Sequence, residues 1–205
     1  MLGKAGIGTA TAKNMPLAAL NPRLGAGVAA PSLLTSALSP DALGAGAAGF
    51  TKTAQTTTNG AATYSISSIP SGTSELILFG NQVDRGTSSS TAVVRLGDSG
   101  GLEDTGYNHS VAYSYGGSFY INTTAERTGL DFQLYDSVCN FTCLCWNTSG
   151  NKWMMRVHMA STADSTKYWA TTLCEKELSG TLDRIGIVDR NGTNFAGGTI
   201  QLWYK

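Results

Sequence analysis

Residues 178–205 read LSGTLDRIGIVDRNGTNFAGGTIQLWYK. Thr181 to Val188 is rich in strand formers, Asn191-Gly192 is a turn dipeptide, and Gly197-Gly198 marks a second break. From Thr199 to Tyr204 the chain alternates, with Ile200, Leu202 and Tyr204 on one face and Thr199, Gln201 and Trp203 on the other. Such alternation, punctuated by Gly-rich turns, is the pattern of two β-strands joined by a loop. The last strand is expected to complete a sheet.

The same pattern extends back to Thr53. Strand-like runs recur near Ala61–Ile69, Glu75–Val83, Thr91–Leu96, His109–Tyr115, Ser118–Asn122, Leu130–Tyr135, Asn140–Trp146, Lys152–Met159, Tyr168–Cys174, Leu182–Val188 and Thr199–Tyr204. Turn residues separate them at Asn59-Gly60, Ser71-Gly72, Asp98 to Gly101, Gly116-Gly117, Ser149-Gly150 and Asn191-Gly192. Short strands at this spacing predict an all-β fold, an antiparallel β-sandwich or jelly roll over residues 53–205. Segments with helical period are absent, which argues against an α/β fold. A body of about 150 residues buries roughly two-thirds of its unfolded surface, enough for its own core. Trp153, Met154, Met155 and Trp169 are expected to fill that core or an interface between copies.

Residues 1–52 differ. They are rich in Ala and Gly, carry one acid (Asp41), and have Pro16, Pro22, Pro31 and Pro40 spaced through them. Prolines at that spacing forbid a long helix. Leu17, Leu20, Leu24, Leu33, Leu34 and Leu38 are too scattered for a core of their own. Ordering such an arm costs about 50–100 kcal/mol of backbone entropy, at roughly 1–2 kcal/mol per residue. The segment is therefore expected to be an extended, mostly irregular anchoring arm whose leucines seat against another surface. Gly44-Ala45-Gly46-Ala47-Ala48-Gly49 matches the dinucleotide fingerprint, but no strand precedes it and no acid follows on a second strand. In an Ala/Gly tract the match is cheap, and no cofactor is expected.

Composition removes several classes of function. Charged residues make up 14% of the chain and the formal net charge is zero, so the clustered basic surface that nucleic acid needs is missing. No apolar run approaches a membrane span. The GIGTATA stretch between Lys4 and Lys13 is too polar for a signal-peptide core, so the chain is expected to fold in a cytoplasm. The Asn-x-Ser/Thr triplets at Asn108, Asn122, Asn140, Asn147 and Asn191 are then chance matches in an Asn/Thr-rich chain.

Candidate chemistry fails on residue geometry. Gly97-Asp98-Ser99-Gly100-Gly101 matches the nucleophile motif of chymotrypsin-like proteases, where His and Asp precede the Ser; here His109 and His158 both follow it. A Gly-rich turn is the simpler reading, and no catalytic residue is assigned. Asp98, Glu103 and Asp104 fit no Ca²⁺ loop spacing. Cys139 and Cys143 lie in a strand-like run that places them about 13 Å apart, too far to share a tetrahedral ion. With Cys145 and Cys174 they read as small buried apolar residues with free thiols, and no metal is expected. The remaining acids (Asp131, Asp136, Asp164, Glu175, Glu177, Asp183, Asp189) show no spacing that pairs any two for glycoside hydrolysis. Tyr107, Tyr113, Tyr115 and Tyr120 form the candidate ligand surface, since a tyrosine offers an apolar face and a polar tip to a sugar or a protein. On a hairpin, Tyr113 and Tyr115 share a face with Val111 that packing also explains.

Three segments, taken together, resemble a known module. They are Ser68-Ile69-Pro70-Ser71-Gly72-Thr73; Arg95 to Tyr107, RLGDSGGLEDTGY; and Leu178 to Ile185, LSGTLDRI, running on to Phe195-Ala196-Gly197-Gly198-Thr199-Ile200 and the terminal Tyr204-Lys205. In this order and spacing they resemble a β-rich module of tailed-bacteriophage virion proteins, loosely described as structural or tail-fibre proteins. The resemblance covers residues 60–205 and leaves the arm out. It implies no catalytic residue and gives Gly97 to Gly101 a non-protease role. It further implies a non-enzymatic virion part, assembled in the host cytoplasm against a major capsid or tail protein. A homotrimer is the expected form of such parts. Capsid decoration or cement is the first expectation; a receptor- or carbohydrate-binding tail-fibre protein, meeting a host-surface glycan, is the alternative.

Overall fold

The computed structural model describes residues 49–86, 91–115, 118–132, 138–161 and 169–205. Fourteen strands are described: β1 (Thr51–Lys52), β2 (Thr56–Thr57), β3 (Thr63–Ile66), β4 (Glu75–Asp84), β5 (Ala92–Asp98), β6 (Gly101–Leu102), β7 (Tyr107–Tyr115), β8 (Ser118–Arg127), β9 (Leu130–Phe132), β10 (Val138–Ser149), β11 (Lys152–Ser161), β12 (Trp169–Glu177), β13 (Arg184–Asp189) and β14 (Gly197–Tyr204). A nine-stranded sheet runs β1-β14-β4-β10-β11-β12-β7-β8 with β2 also on β14; a five-stranded sheet runs β3-β13-β5-β6 with β9 also on β5. Every pairing is antiparallel.

Each expected run contains a strand. β14 sits between β1 and β4 as an inner strand, which is why the terminal alternation is so clean: Ile200 and Leu202 are fully buried. The Asn191-Gly192 turn is held by Asp189, whose Oδ1 accepts the N–H groups of Asn191 (2.9 Å) and Thr193 (3.1 Å). The Gly197-Gly198 break is a bulge against β4. Gly198 has φ +96° there, and a Cβ on it would collide with the Gln82 carbonyl, so glycine is required. Thr51 and Lys52, expected in the arm, belong to the body and pair with Tyr204 and Trp203. The anchoring leucines Leu17, Leu20, Leu24, Leu33, Leu34 and Leu38 lie outside the described residues.

The two sheets enclose one core. Across the large sheet the inward rows run Leu202, Leu78, Cys143, Val157, Thr172, Val111 and, beside it, Tyr204, Leu76, Cys145, Met155, Cys174, His109. Val94, Leu96, Ile185 and Ile187 of the small sheet join the same buried cluster. All four cysteines are buried and free. Burial pushes the Cys139 and Cys174 thiols up to about 12, so they stay protonated and act as small apolar filling.

The tryptophans and methionines expected in the core or at an interface between copies divide between the two faces. Trp153 and Met155 point inward at 2% and 0% exposure, whereas Met154 and Trp169 point outward at 46% and 43%. Strand alternation puts neighbours on opposite faces, so Met154 and Met155 cannot both be core.

Candidate functional site

The Gly97–Gly101 segment is a hairpin turn. Gly97 pairs with Leu102 and Asp98 with Gly101, which leaves Ser99 and Gly100 as its two tip residues. Asp98 ties the turn together: its Oδ1 accepts the Gly100 N–H at 2.7 Å and its Oδ2 the Ser179 hydroxyl at 2.9 Å. These donors, the Gly100 amide first, hold the Asp98 carboxyl below the usual carboxylate range. A side chain at Gly97 would collide with the Gly101 carbonyl. Ser99 is exposed on the small sheet, while both histidines belong to the large one: His109 faces Asp131 (3.6 Å) and His158 Nδ1 meets Thr171 Oγ1 at 2.7 Å. Among the described residues no histidine lies on the sheet that carries Ser99. Gly97→Ala is expected to destabilise the fold by about 1–3 kcal/mol through overpacking. Ser99→Ala is expected to stay within about 0.5 kcal/mol of the parent. Urea denaturation of both variants checks the contrast; equal effects would contradict the turn assignment.

Glu103, beyond the turn, is drawn into the same corner. It pairs with Lys176 Nζ and accepts the Ser179 N–H (2.7 Å) and hydroxyl (2.9 Å) through Oε1. Asp98 and Glu103 thus meet on Ser179, a residue that sequence spacing did not connect to either. Burial pushes the Glu103 carboxyl up, but Lys176 and the Ser179 donors together outweigh it and leave the group below its usual range. Lys176 is 3% exposed and lies 5.3 Å from the centre of the Tyr107 ring. The corner joins the two sheets. Among the described residues no group of three or more His, Cys, Asp or Glu is placed to hold a metal ion. Asp131 is engaged by Arg190 at 2.5 Å as well as by His109; Asp136 and Asp164 lie outside the described residues.

The four candidate tyrosines separate. Tyr107 is fully buried, a correction to its place on a ligand surface: its hydroxyl accepts the Leu96 N–H at 2.9 Å and so pins β7 to the opposite sheet. Burial pushes that hydroxyl far above the usual tyrosine range. Tyr113 is 9% exposed and turned inward, a second correction; it stacks on Tyr120 with ring centres 4.9 Å apart and planes 17° from parallel. Tyr120 remains 43% exposed. The Tyr115 side chain lies outside the described residues.

A larger candidate surface, missed in the sequence, covers the outer face of the nine-stranded sheet. One outward row runs Trp203, Ile77, Leu144, Arg156, Leu173; the next runs Gln201, Phe79, Thr142, His158, Thr171, Ala112, Ile121. Trp146 and Met154 stand opposite each other in a third row. Of the four tryptophans, Trp146, Trp169 and Trp203 are on this face and only Trp153 is inside. Phe79 meets Trp203 edge-on at 5.6 Å, Arg156 lies 5.9 Å from the Trp146 ring, and Lys52 lies 5.8 Å from the Trp203 ring. Between Phe79 and Trp169 lies a shallow cleft of about 470 Å³ whose lining includes Asn140, Thr142, His158 and Thr171. Partial burial, with Arg156 nearby, lowers the His158 pKa, so its ring is neutral at neutral pH. The sequence did carry a signal for this face: the apolar residues at the polar positions of β10, β11, β12 and β14.

Comparison with family models, with curated proteins and with solved structures finds no match to this chain.

Proposed function

We propose that the chain is a non-catalytic structural protein of a bacteriophage virion, anchored through its first fifty or so residues and exposing the β-sandwich as capsid decoration or cement. The observation that supports this reading is the outer face of the nine-stranded sheet. An antiparallel sheet normally turns one face to the core and a polar one to water. Here the second face carries Trp146, Trp169 and Trp203 with Ile77, Phe79, Leu144, Met154 and Leu173. Contiguous aromatic and aliphatic surface of this kind marks a protein contact. Gly97 to Gly101 forms a hairpin turn, and Glu103 beyond it pairs with Lys176. The resemblance of residues 60–205 to virion modules supplies the kind of assembly.

The test separates arm from body. A chain lacking residues 1–48 is expected to remain folded, with the far-ultraviolet circular dichroism of the parent's β-body, and to be lost from particles assembled in its presence. The triple variant Trp146→Ser, Trp169→Ser, Trp203→Ser is expected to keep its fold and reduce incorporation. Full incorporation of both variants would overturn the reading, as would unfolding of the truncated chain.

A second reading, a receptor- or carbohydrate-binding tail-fibre protein, is favoured by the cleft between Phe79 and Trp169. Flanking rings with Asn, Thr and neutral His donors and acceptors suit a sugar, which presents apolar and hydroxylated faces together. Glycan binding lost on Trp169→Ala, with the fold intact, would support it in place of decoration.

A further inference from the structure

Among the described residues six strands pair on one side only: β1, β2 and β8 on the large sheet, β3, β6 and β9 on the small one. β1, β2 and β6 have two residues each, β9 three and β3 four, but β8 has ten. Short edges are protected edges, because few unpaired backbone groups are on offer. β8 is not protected in this way. From Ser118 to Ala125 it reads SFYINTTA, with no proline and no charge, the two residue types that blunt an edge. It bonds to β7 on one side, and among the described residues no strand bonds to its other side.

Exposure points to the same strand. The large apolar residues with high exposure are Phe119 at 58%, Tyr120 at 43%, Ile121 at 67%, Met154, Trp169 and Leu173. The first three are consecutive, so β8 offers apolar side chains on both faces of the sheet. Tyr120 is on the core-facing side, directly opposite Tyr113, yet it remains half-open to water. Phe119 and Ile121 are on the outer side, where Phe119 reaches Trp169 with ring centres 6.0 Å apart.

We propose that β8 pairs edge to edge with β8 of a second copy, antiparallel, about a two-fold axis through Tyr120. The sequence matches itself in that register. Residues directly opposite in an antiparallel pair share a face. Centring the pair on Tyr120 sets Phe119 opposite Ile121 twice on the outer face and Tyr120 opposite Tyr120 on the inner face, flanked by the Tyr113 stacks. Ser118 then meets Asn122. Sliding by two residues, to centre on Ile121, would set Tyr120 against Asn122 and Phe119 against Thr123, leaving only Ile121 opposite itself as an apolar match. The absence of charge from Ser118 to Ala125 fits a self-pairing edge, since a charge there would face its own kind across the axis. The product is a closed dimer with one continuous sheet, in place of the expected trimer. This inference rests on the strand edge and does not depend on the virion reading.

The experiment uses the full chain. Sedimentation equilibrium is expected to give twice the monomer mass for the parent and the monomer mass for Ile121→Lys, whose side chain is exposed and whose fold should be unchanged by circular dichroism. Tyr120→Cys is expected to give a disulfide-linked dimer on mild oxidation with diamide, much faster than Ser99→Cys, an exposed control on the other sheet. The chain's own cysteines are buried, so the parent should not cross-link. A monomeric parent, a trimer, a dimer that survives Ile121→Lys, or equal cross-linking at both positions would overturn the proposal.

Discussion

Trp153→Ala is expected to be the most damaging single truncation, costing about 3–5 kcal/mol of folding free energy. Trp153 is 2% exposed and is among the largest fully buried side chains of the described residues. It stands opposite Lys176 on β12, which stands opposite Tyr107 on β7, so its ring packs where the corner charge and the tyrosine also converge. Its removal would leave a cavity that the hydrogen-bonded strands around it cannot collapse to fill. The matched control is Trp169→Ala. With 43% exposure on the outer face, that substitution is expected to cost less than about 1 kcal/mol. Equilibrium urea unfolding of the two variants compares them directly. Similar losses would contradict the assignment of inner and outer faces, and with it the argument that the outer tryptophans are held for a partner.

The second large effect is expected at Glu103. Glu103→Ala leaves the Lys176 ammonium, whose side chain is 4% exposed, without its carboxylate. Breaking a buried pair from one side costs about 3–5 kcal/mol, because the surviving charge is left uncompensated. Replacing both partners, as in Glu103→Leu with Lys176→Met, is expected to recover most of that loss. Acid should act on the same corner. Asp98 and Glu103 both sit below their ordinary carboxylate range in the folded protein, so the unfolded chain binds more protons than the folded one as the pH falls. Their contribution is therefore complete above the unfolded carboxylate value, near 4. It is lost as the pH drops through the lower folded values. Urea midpoints from neutral pH downward should fall on the acid side, and Glu103→Gln should flatten that fall. Stability that rises on acidification would contradict the assignment.

Much of the fold was legible because the strands are long enough to show a period. β14 announces itself through Ile200 and Leu202, and Asn191-Gly192 gives its neighbour's end. β1, β2 and β6 were missed because two residues cannot display alternation. The sign of the alternation was harder. Along β11, Trp153, Met154 and Met155 are all apolar, and local sequence cannot say which parity faces inward when both faces of the sheet carry apolar residues. That is why Trp169 was left between core and interface, and why Tyr107, which is fully buried, was placed on a ligand surface. The corner was invisible for another reason: Glu103 and Lys176 are 73 residues apart, and they meet only because the loop that carries Glu103 leads into β7, whose first residue pairs with Lys176. The Gly97 to Gly101 turn was legible because both histidines follow Ser99 in the chain, the reverse of the order in chymotrypsin-like proteases, while the glycines themselves suit a turn.

The central proposal is that this chain is a building part of a virion. Its most direct test is the copy number per purified particle, measured by quantitative mass spectrometry against the major shell protein. The decoration reading predicts hundreds of copies, in a fixed ratio to the shell protein. A few copies would move the protein to the tail, and its absence from particles would contradict the account.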